Sequence, residues 1–413
     1  MRRPLCAAVV AALLAGCAAS EPPAEPRVLR VVMADDWASA PAFRDVVATF
    51  EADHDDVEVR VEAVPFSQIP DLVRNAADLD DPYDLAHWHA FSAAAGGFAE
   101  PLDEQWERAG LLPEEYLPGA VEDVTWEGRR YGVPLDVNAL VLLVNRAQLA
   151  AAGVEHDALT DAEGFLEVAR TIVDSGAAER AITSSVSTWA AYGWIRAFGG
   201  DVLTTGPEGE TVFTFDDPAT VAAIDLLGQL AGQELATPLH SPDQAIDAVQ
   251  LFTGGTAAIH PTGSWDLAVA GRASEVTDED VDAVPLPRGH GDTGTVLGGS
   301  SLFVPEGSEH ADLAFDLALA LTEDEVAMTF AEQEGRLPAR RRVYEDPAAS
   351  FTERPAMATV VAELEEADVL PLYAYPDLLE DFRNALELVL RGQQDAATAM
   401  RQVQERAEGS ASR

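Results

Sequence analysis

"VLRVVMADDWASAPAFRDVVATFEADHDDVEVRVEAV" (residues 28–64) is the stretch whose pattern decides the fold. Its first seven residues alternate and are rich in Val, as a strand is. Phe43, Val46, Val47 and Phe50 then recur at i, i+3, i+4 and i+7, which puts one apolar stripe on a helix. "VEVRVEAV" (57–64) returns to the alternation of a strand. A second helix follows in "SQIPDLVRNAAD" (67–78) and a third strand in "YDLAHW" (83–88). Strands alternating with helices predict an α/β chain with a parallel sheet covered on both faces. In such sheets a ligand binds beyond the carboxyl ends of the strands, at a topological switch point.

The middle of the chain reads as more helical. In "DDPATVAAIDLLGQLA" (216–231), Asp217 is a cap and Pro218 occupies the first turn, a strong helix start. Leu378, Phe382, Leu386 and Val389 mark another amphipathic helix, and the final "EGSASR" is expected to be loose. No internal repeat is visible.

Cysteine occurs only at Cys6 and Cys17, both at the start of the chain. Arg2 and Arg3 form a short basic n-region, and Leu5 to Leu14 is a small, apolar run. About ten residues are too few for a membrane-spanning helix, which needs about twenty, so residues 1–16 read as a signal peptide. Leu14-Ala15-Gly16-Cys17 resembles the bacterial lipobox, whose cysteine takes a diacylglyceryl group and becomes the new N-terminus. That resemblance makes Cys17 a lipidation site and the mature protein extracytoplasmic, anchored to the cell membrane through this cysteine alone. Residues 17–27 are rich in Pro, Ala and Glu and read as an extended tether.

Removing the signal leaves a chain long enough for two domains. Nearly half of the residues are hydrophobic, which fits a globular protein. Asp and Glu number 72 against 26 basic residues, all Arg, for a net charge of −46. That charge argues against nucleic acid as a partner and against direct adhesion to anionic lipid. The acids are spread along the sequence, which implies a solvated acidic face that needs counter-ions, as in a saline habitat.

No phosphate loop, GxSxG elbow or HExxH occurs in the sequence. "HWH" (87–89) sets two imidazoles on one side of a strand, but a metal site needs further ligands that the pattern does not supply. Adjacent acids such as Asp35-Asp36 arise by chance in so acidic a chain, so a glycosidase pair is a weak reading. No catalytic residue, metal or cofactor is assigned.

Four stretches in order resemble the sugar-binding family of extracellular solute-binding proteins that includes maltose-binding protein. They are "WEGRRYGVPLDVNALVLLVNRAQLAAAGV" (126–154), "LFTGGTAAIHPTGSWDLA" (251–268), "VLGGSSLFVP" (296–305) and "EGRLPARRRV" (334–343). Val144-Asn145 stands where the family carries Tyr-Asn. The resemblance spans about 30–345; the last sixty residues share only their helical character.

This resemblance implies a two-lobe periplasmic-binding-protein type II fold with a hinge and an interlobe cleft, and a binding protein in place of an enzyme. Lobe one is expected at 28–135 plus 297–336, and lobe two at 139–292 plus 340–405. The chain is expected to cross near Pro134–Asn138, Gly291–Leu297 and Leu337–Arg341. A sugar presents apolar C–H faces that stack on aromatic rings, and hydroxyls that need paired donors and acceptors. The expected solute-binding residues are therefore Asp36, Trp37, Trp88 and His89 of lobe one, Asp136, Asn138 and Gly299 near the crossings, and Trp189 and Trp265 of lobe two. Asn138 sits where the family often has a carboxylate. Arg340 is read as a solvated basic turn, and Tyr373 and Tyr375 as core. The implied partners are a carbohydrate or polyol and the membrane permease subunits of an ATP-driven (ABC) importer, with the protein acting as a monomer. Rival readings are a surface lipoprotein glycosidase, or a sensor for a non-sugar solute.

Overall fold

The structure is a computed structural model that describes residues 26–79, 81–239, 248–270, 280–290 and 293–411. The expected signal peptide, Cys17 and nearly all of the expected tether lie outside the described residues, as does part of the expected crossing at 291–297.

The strands are β1 (Arg27–Ala34), β2 (Val57–Val64), β3 (Leu85–Trp88), the hairpin β4 (Thr125–Trp126) and β5 (Arg129–Arg130), β6 (Gly132–Ala139), β7 (Val141–Asn145), β8 (Arg180–Ile182), the hairpin β9 (Leu203–Thr205) and β10 (Thr211–Phe213), β11 (Ala257–Thr262), β12 (Val281–Val284), β13 (Thr295–Phe303), β14 (Leu337–Pro338) and β15 (Ala367–Asp368). They build a large sheet in the order β14-β6-β13-β3-β1-β2, with β15 also on β13, and a small sheet in the order β12-β7-β11-β8.

The opening stretch folds as its pattern requires. β1 runs parallel to β2 on one side and β3 on the other, so the strand order reverses at β1. Between β1 and β2 the helix Pro41–Asp53 buries Phe43 and Phe50 against the sheet. Asp217 caps the helix Pro218–Gly232, its carboxylate accepting from the Ala219 amide at 2.9 Å. The sheet is nevertheless mixed: β13 pairs antiparallel with both β3 and β6. A strand that arrives from the other sheet without a covering crossover helix is free to run in either sense. The chain end also departs from expectation, since the helix Ala396–Ala411 takes in Glu408–Ala411.

The chain leaves the large sheet at Leu140, between β6 and β7, and returns between β12 and β13. Leu140, Leu142 and Val144 face one apolar cluster, with the helices Thr188–Ala197, Pro218–Gly232, Pro376–Leu390 and Ala396–Ala411. The alternate residues Val141 and Leu143 belong to the other cluster, which is continuous with the core of the large sheet. After β14 the helix Pro355–Glu363 packs on β12, β7 and β6, so it touches both sheets. The following helices, Pro376–Leu390 and Ala396–Ala411, enter the second cluster.

Candidate functional site

β1 and β3 deliver their carboxyl ends to one cavity of about 290 Å³ between the two sheets. From the large-sheet half come Asp36, Trp37, Phe66, His87, His89 and Arg336; Gly298, Gly299 and Ser300 of β13 form part of the wall. From the other half come Trp189 and Trp265, and Tyr373 precedes the C-terminal helices. Trp189 is fixed by its indole N–H, which donates to the Leu297 carbonyl at 2.8 Å, and its ring lies 5.4 Å from that of Trp265 at 47°. Tyr373 stacks on His89 at 4.4 Å and 18°.

The polar floor depends on one irregularity in β13. Its register against β6 shifts between Ser300 and Ser301, and Gly299 has φ +105°, a left-handed conformation that suits glycine. A Cβ there would meet the Asp136 carbonyl oxygen at 2.3 Å. The bulge brings the Ser300 hydroxyl to Asp136 Oδ1, to which it donates at 2.6 Å, while His87 Nε2 lies 2.6 Å from the same hydroxyl. His87 Nδ1 accepts from the Ala34 amide at 3.3 Å, which places the ring proton on Nε2. Burial pushes the His87 pKa well below the usual value, aided by the nearby Arg336 charge, so the ring is neutral. Donation thus runs Ala34 to His87 to Ser300 to Asp136.

Asp136 is 3% exposed, and burial pushes its carboxyl up to about 6 against the opposing pull of Arg336 and Ser300. Its Oδ2 and the Trp37 Nε1–H are buried polar atoms without a hydrogen-bond partner. Beside this network, His89 Nδ1 meets Asp123 Oδ1 at 2.6 Å, and Asp123 Oδ2 accepts from Ser301 at 2.7 Å.

Of the expected residues, Asp36, Trp37, His89, Trp189, Trp265 and Gly299 line this cavity. Asp136 lies in an adjoining recess with His89, Ser300 and Tyr373. Trp88 does not line the cavity: alternation along β3 gives His87 and His89 to the cleft, and Trp88 packs against Phe66 at 4.3 Å. Asn138 does not line it either, being fully buried and bonded to Ser264. Arg340, expected in a solvated turn, is largely buried against Tyr116 and Asp324, and it is Arg336 that reaches the cavity. Sequence reading also missed Phe66, His87, Ser300 and Tyr373 as cavity residues. Of these, His87 was open to discovery, because "HWH" already placed it on the same face as His89.

An aromatic-walled cavity between two sheet-centred halves is the geometry of proteins that hold a solute, and residues 45–359 match the family described as bacterial extracellular solute-binding protein. The chain belongs to that family. This solute-binding protein is 26% identical over 333 residues to the sn-glycerol-3-phosphate-binding periplasmic protein UgpB of Rhizobium meliloti, which covers 76% of each chain. It is 23% identical over 424 residues to the galactooligosaccharide-binding protein of Bacillus subtilis, covering 98% of this chain and 95% of that one. Among solved structures it is similar to UgpB from Mycobacterium tuberculosis in complex with glycerophosphocholine, with TM-score 0.81 and 20% identity over 92% of this chain and 98% of that one. The last likeness shows the fold, the two-lobe arrangement with an interlobe cleft. Among the described residues no helix of this solute-binding protein is long and apolar enough to cross a membrane.

Proposed function

We propose that this solute-binding protein is the lipid-anchored receptor of an ATP-driven importer, capturing a mono- or oligosaccharide or a polyol in its cleft. The observation that carries this reading is the set of five rings, Trp37, Phe66, Trp189, Trp265 and Tyr373, drawn from both halves around one cavity. Rings suit the C–H faces of a sugar. The Trp37 N–H and Asp136 Oδ2, which lack a hydrogen-bond partner, are a donor and an acceptor, and hydroxyls satisfy both kinds. Asp36, Trp37, His89, Trp189, Trp265 and Gly299 contact the solute, and Trp88 and Asn138 support them. The lobes are 28–135 plus 297–336 and 139–292 plus 340–405. Cys17 carries the anchor, and the protein delivers solute to permease subunits as a monomer.

A phosphoglycerol solute is the second reading. It is favoured by Arg336 in the cleft and by a relative whose name states glycerol 3-phosphate.

The test is a screen of mono- and disaccharides and polyols, read by melting temperature and intrinsic fluorescence together. At least one compound should shift both. Trp265→Ala should weaken its binding by roughly tenfold to a hundredfold, the worth of one stacked ring. Trp126, in the β4–β5 hairpin outside the cleft, is the control. No response to any saccharide or polyol overturns the reading. For the anchor, Cys17→Ala should move the protein out of the membrane fraction; a soluble wild type overturns that part.

A further inference from the structure

Arg336 is the single arginine among the described residues that line the cleft. It arrives there because the helix Asp324–Glu334 ends at Gly335, whose φ of +68° turns the chain back on itself. The turn is tight: a side chain at Gly335 would meet the Ser264 carbonyl oxygen at 2.4 Å.

The charge of Arg336 is already engaged on two sides. Its Nη2 pairs with Asp36 Oδ2, and its Nη1 stands 3.9 Å from Asp136 Oδ2. The Trp37 ring covers a third side, 5.4 Å from the guanidinium carbon. Two carboxylates around one guanidinium leave the group with a net negative charge when both are ionised. Asp136 is buried, so water does not screen it. An anionic solute reaching for Arg336 has to approach these carboxylates at close range. An uncharged polyhydroxy solute meets no such cost, and an ion pair offers it both donors and acceptors.

We propose that Asp36 and Asp136 are specificity-determining residues: by holding Arg336 between them they set the cleft against anionic solutes such as phosphate esters. This rests on the carbohydrate reading above and narrows it to uncharged solutes. Discrimination of this kind is a difference between two affinities, and a repulsive group contributes to it as much as a contact does.

The experiment is calorimetric titration of the full protein and its variants with two sets of probes: sn-glycerol 3-phosphate, and the uncharged compounds maltose, cellobiose, lactose and sorbitol. The wild type should bind its preferred uncharged compound at least roughly a hundredfold more tightly than glycerol 3-phosphate. Asp36→Asn and Asp136→Asn should each raise affinity for glycerol 3-phosphate by roughly tenfold or more, and Arg336→Gln added to either should cancel the gain. Wild-type binding of glycerol 3-phosphate as tight as that of any uncharged probe overturns the proposal. So does an unchanged affinity for it in folded variants. If no uncharged probe binds, the carbohydrate reading fails on its own. The gain or its absence in the variants then still decides the role of the two carboxylates. Asp36 is half exposed, so its amide variant keeps the test alive if Asp136→Asn does not fold.

Discussion

Asn138 and Ser264 hold each other twice. The Asn138 side-chain amide donates to Ser264 Oγ at 2.7 Å, and its carbonyl accepts from the Ser264 backbone N–H at 2.8 Å. Asn138 is the second-last residue of β6 in the large sheet and Ser264 follows β11 of the small one, so the pair ties the two halves together beside the crossing. Ser264 passes the tie on by donating to the Gly335 carbonyl.

Asn138→Ala should therefore act first on stability. It strands the buried backbone N–H of Ser264, at a cost of about 1–3 kcal/mol. A urea titration should show a lower midpoint; an unchanged midpoint counts against the tie.

Gly299→Ala should be far more damaging than a typical glycine substitution. Its φ of +105° and the 2.3 Å approach to the Asp136 carbonyl oxygen leave no room for a methyl group, and about 3 kcal/mol or more is expected. Gly232→Ala, at the end of a helix with no atom near its Cβ position, is the comparison and should be close to neutral. Equal melting temperatures for the two variants would remove the argument for the bulge.

Acid should separate Asp136 from its amide. Its folded pKa, about 6, lies above the ordinary 3.8, so between those values the folded state holds a proton that the unfolded chain releases. Stability from this group is thus present at low pH and lost as pH rises through 6, by on the order of 2–3 kcal/mol. His87 works in the opposite sense, because it stays neutral when folded and protonates when unfolded, so stability falls as pH drops below 6.5. Asp136→Asn should leave the His87 contribution and raise stability at pH 7–8 relative to wild type. Parallel stability profiles for the two proteins from pH 4 to 8 would show the carboxyl to be uncoupled from folding.

Salt should stabilise the protein over a wide range. With a net charge of −46, self-repulsion is strong in dilute buffer, and the ion pairs that oppose it are mostly exposed, as Arg27–Asp56 and Arg60–Glu58 are. Melting temperature should climb from low salt to molar NaCl. A flat curve would remove the inference of a saline habitat.

Much of this could be read from sequence. Residues 28–64 alone announced two parallel strands and the helix between them, because a period of two and a period of 3.6 are properties of the local chain. The same locality made Asp217 legible as a cap and put His87 and His89 on one face. Trp189 and Trp265 could be nominated for the cleft because a family resemblance carried their positions, and Trp37 because it follows the first strand.

Only tertiary structure decided which polar groups are free to meet a solute. Asn138 is spent on a partner 126 residues away, and Asp136 is reached by Ser300 only through a bulge in a strand 164 residues later. Arg336 and Arg340 look alike in "EGRLPARRRV", yet the left-handed Gly335 sends one into the cleft, while the other pairs with Asp324 and Tyr116. Backbone periodicity is set by neighbours along the chain and is written in the sequence. Hydrogen-bond satisfaction is set by neighbours in space, and no spacing rule in the sequence records who those are.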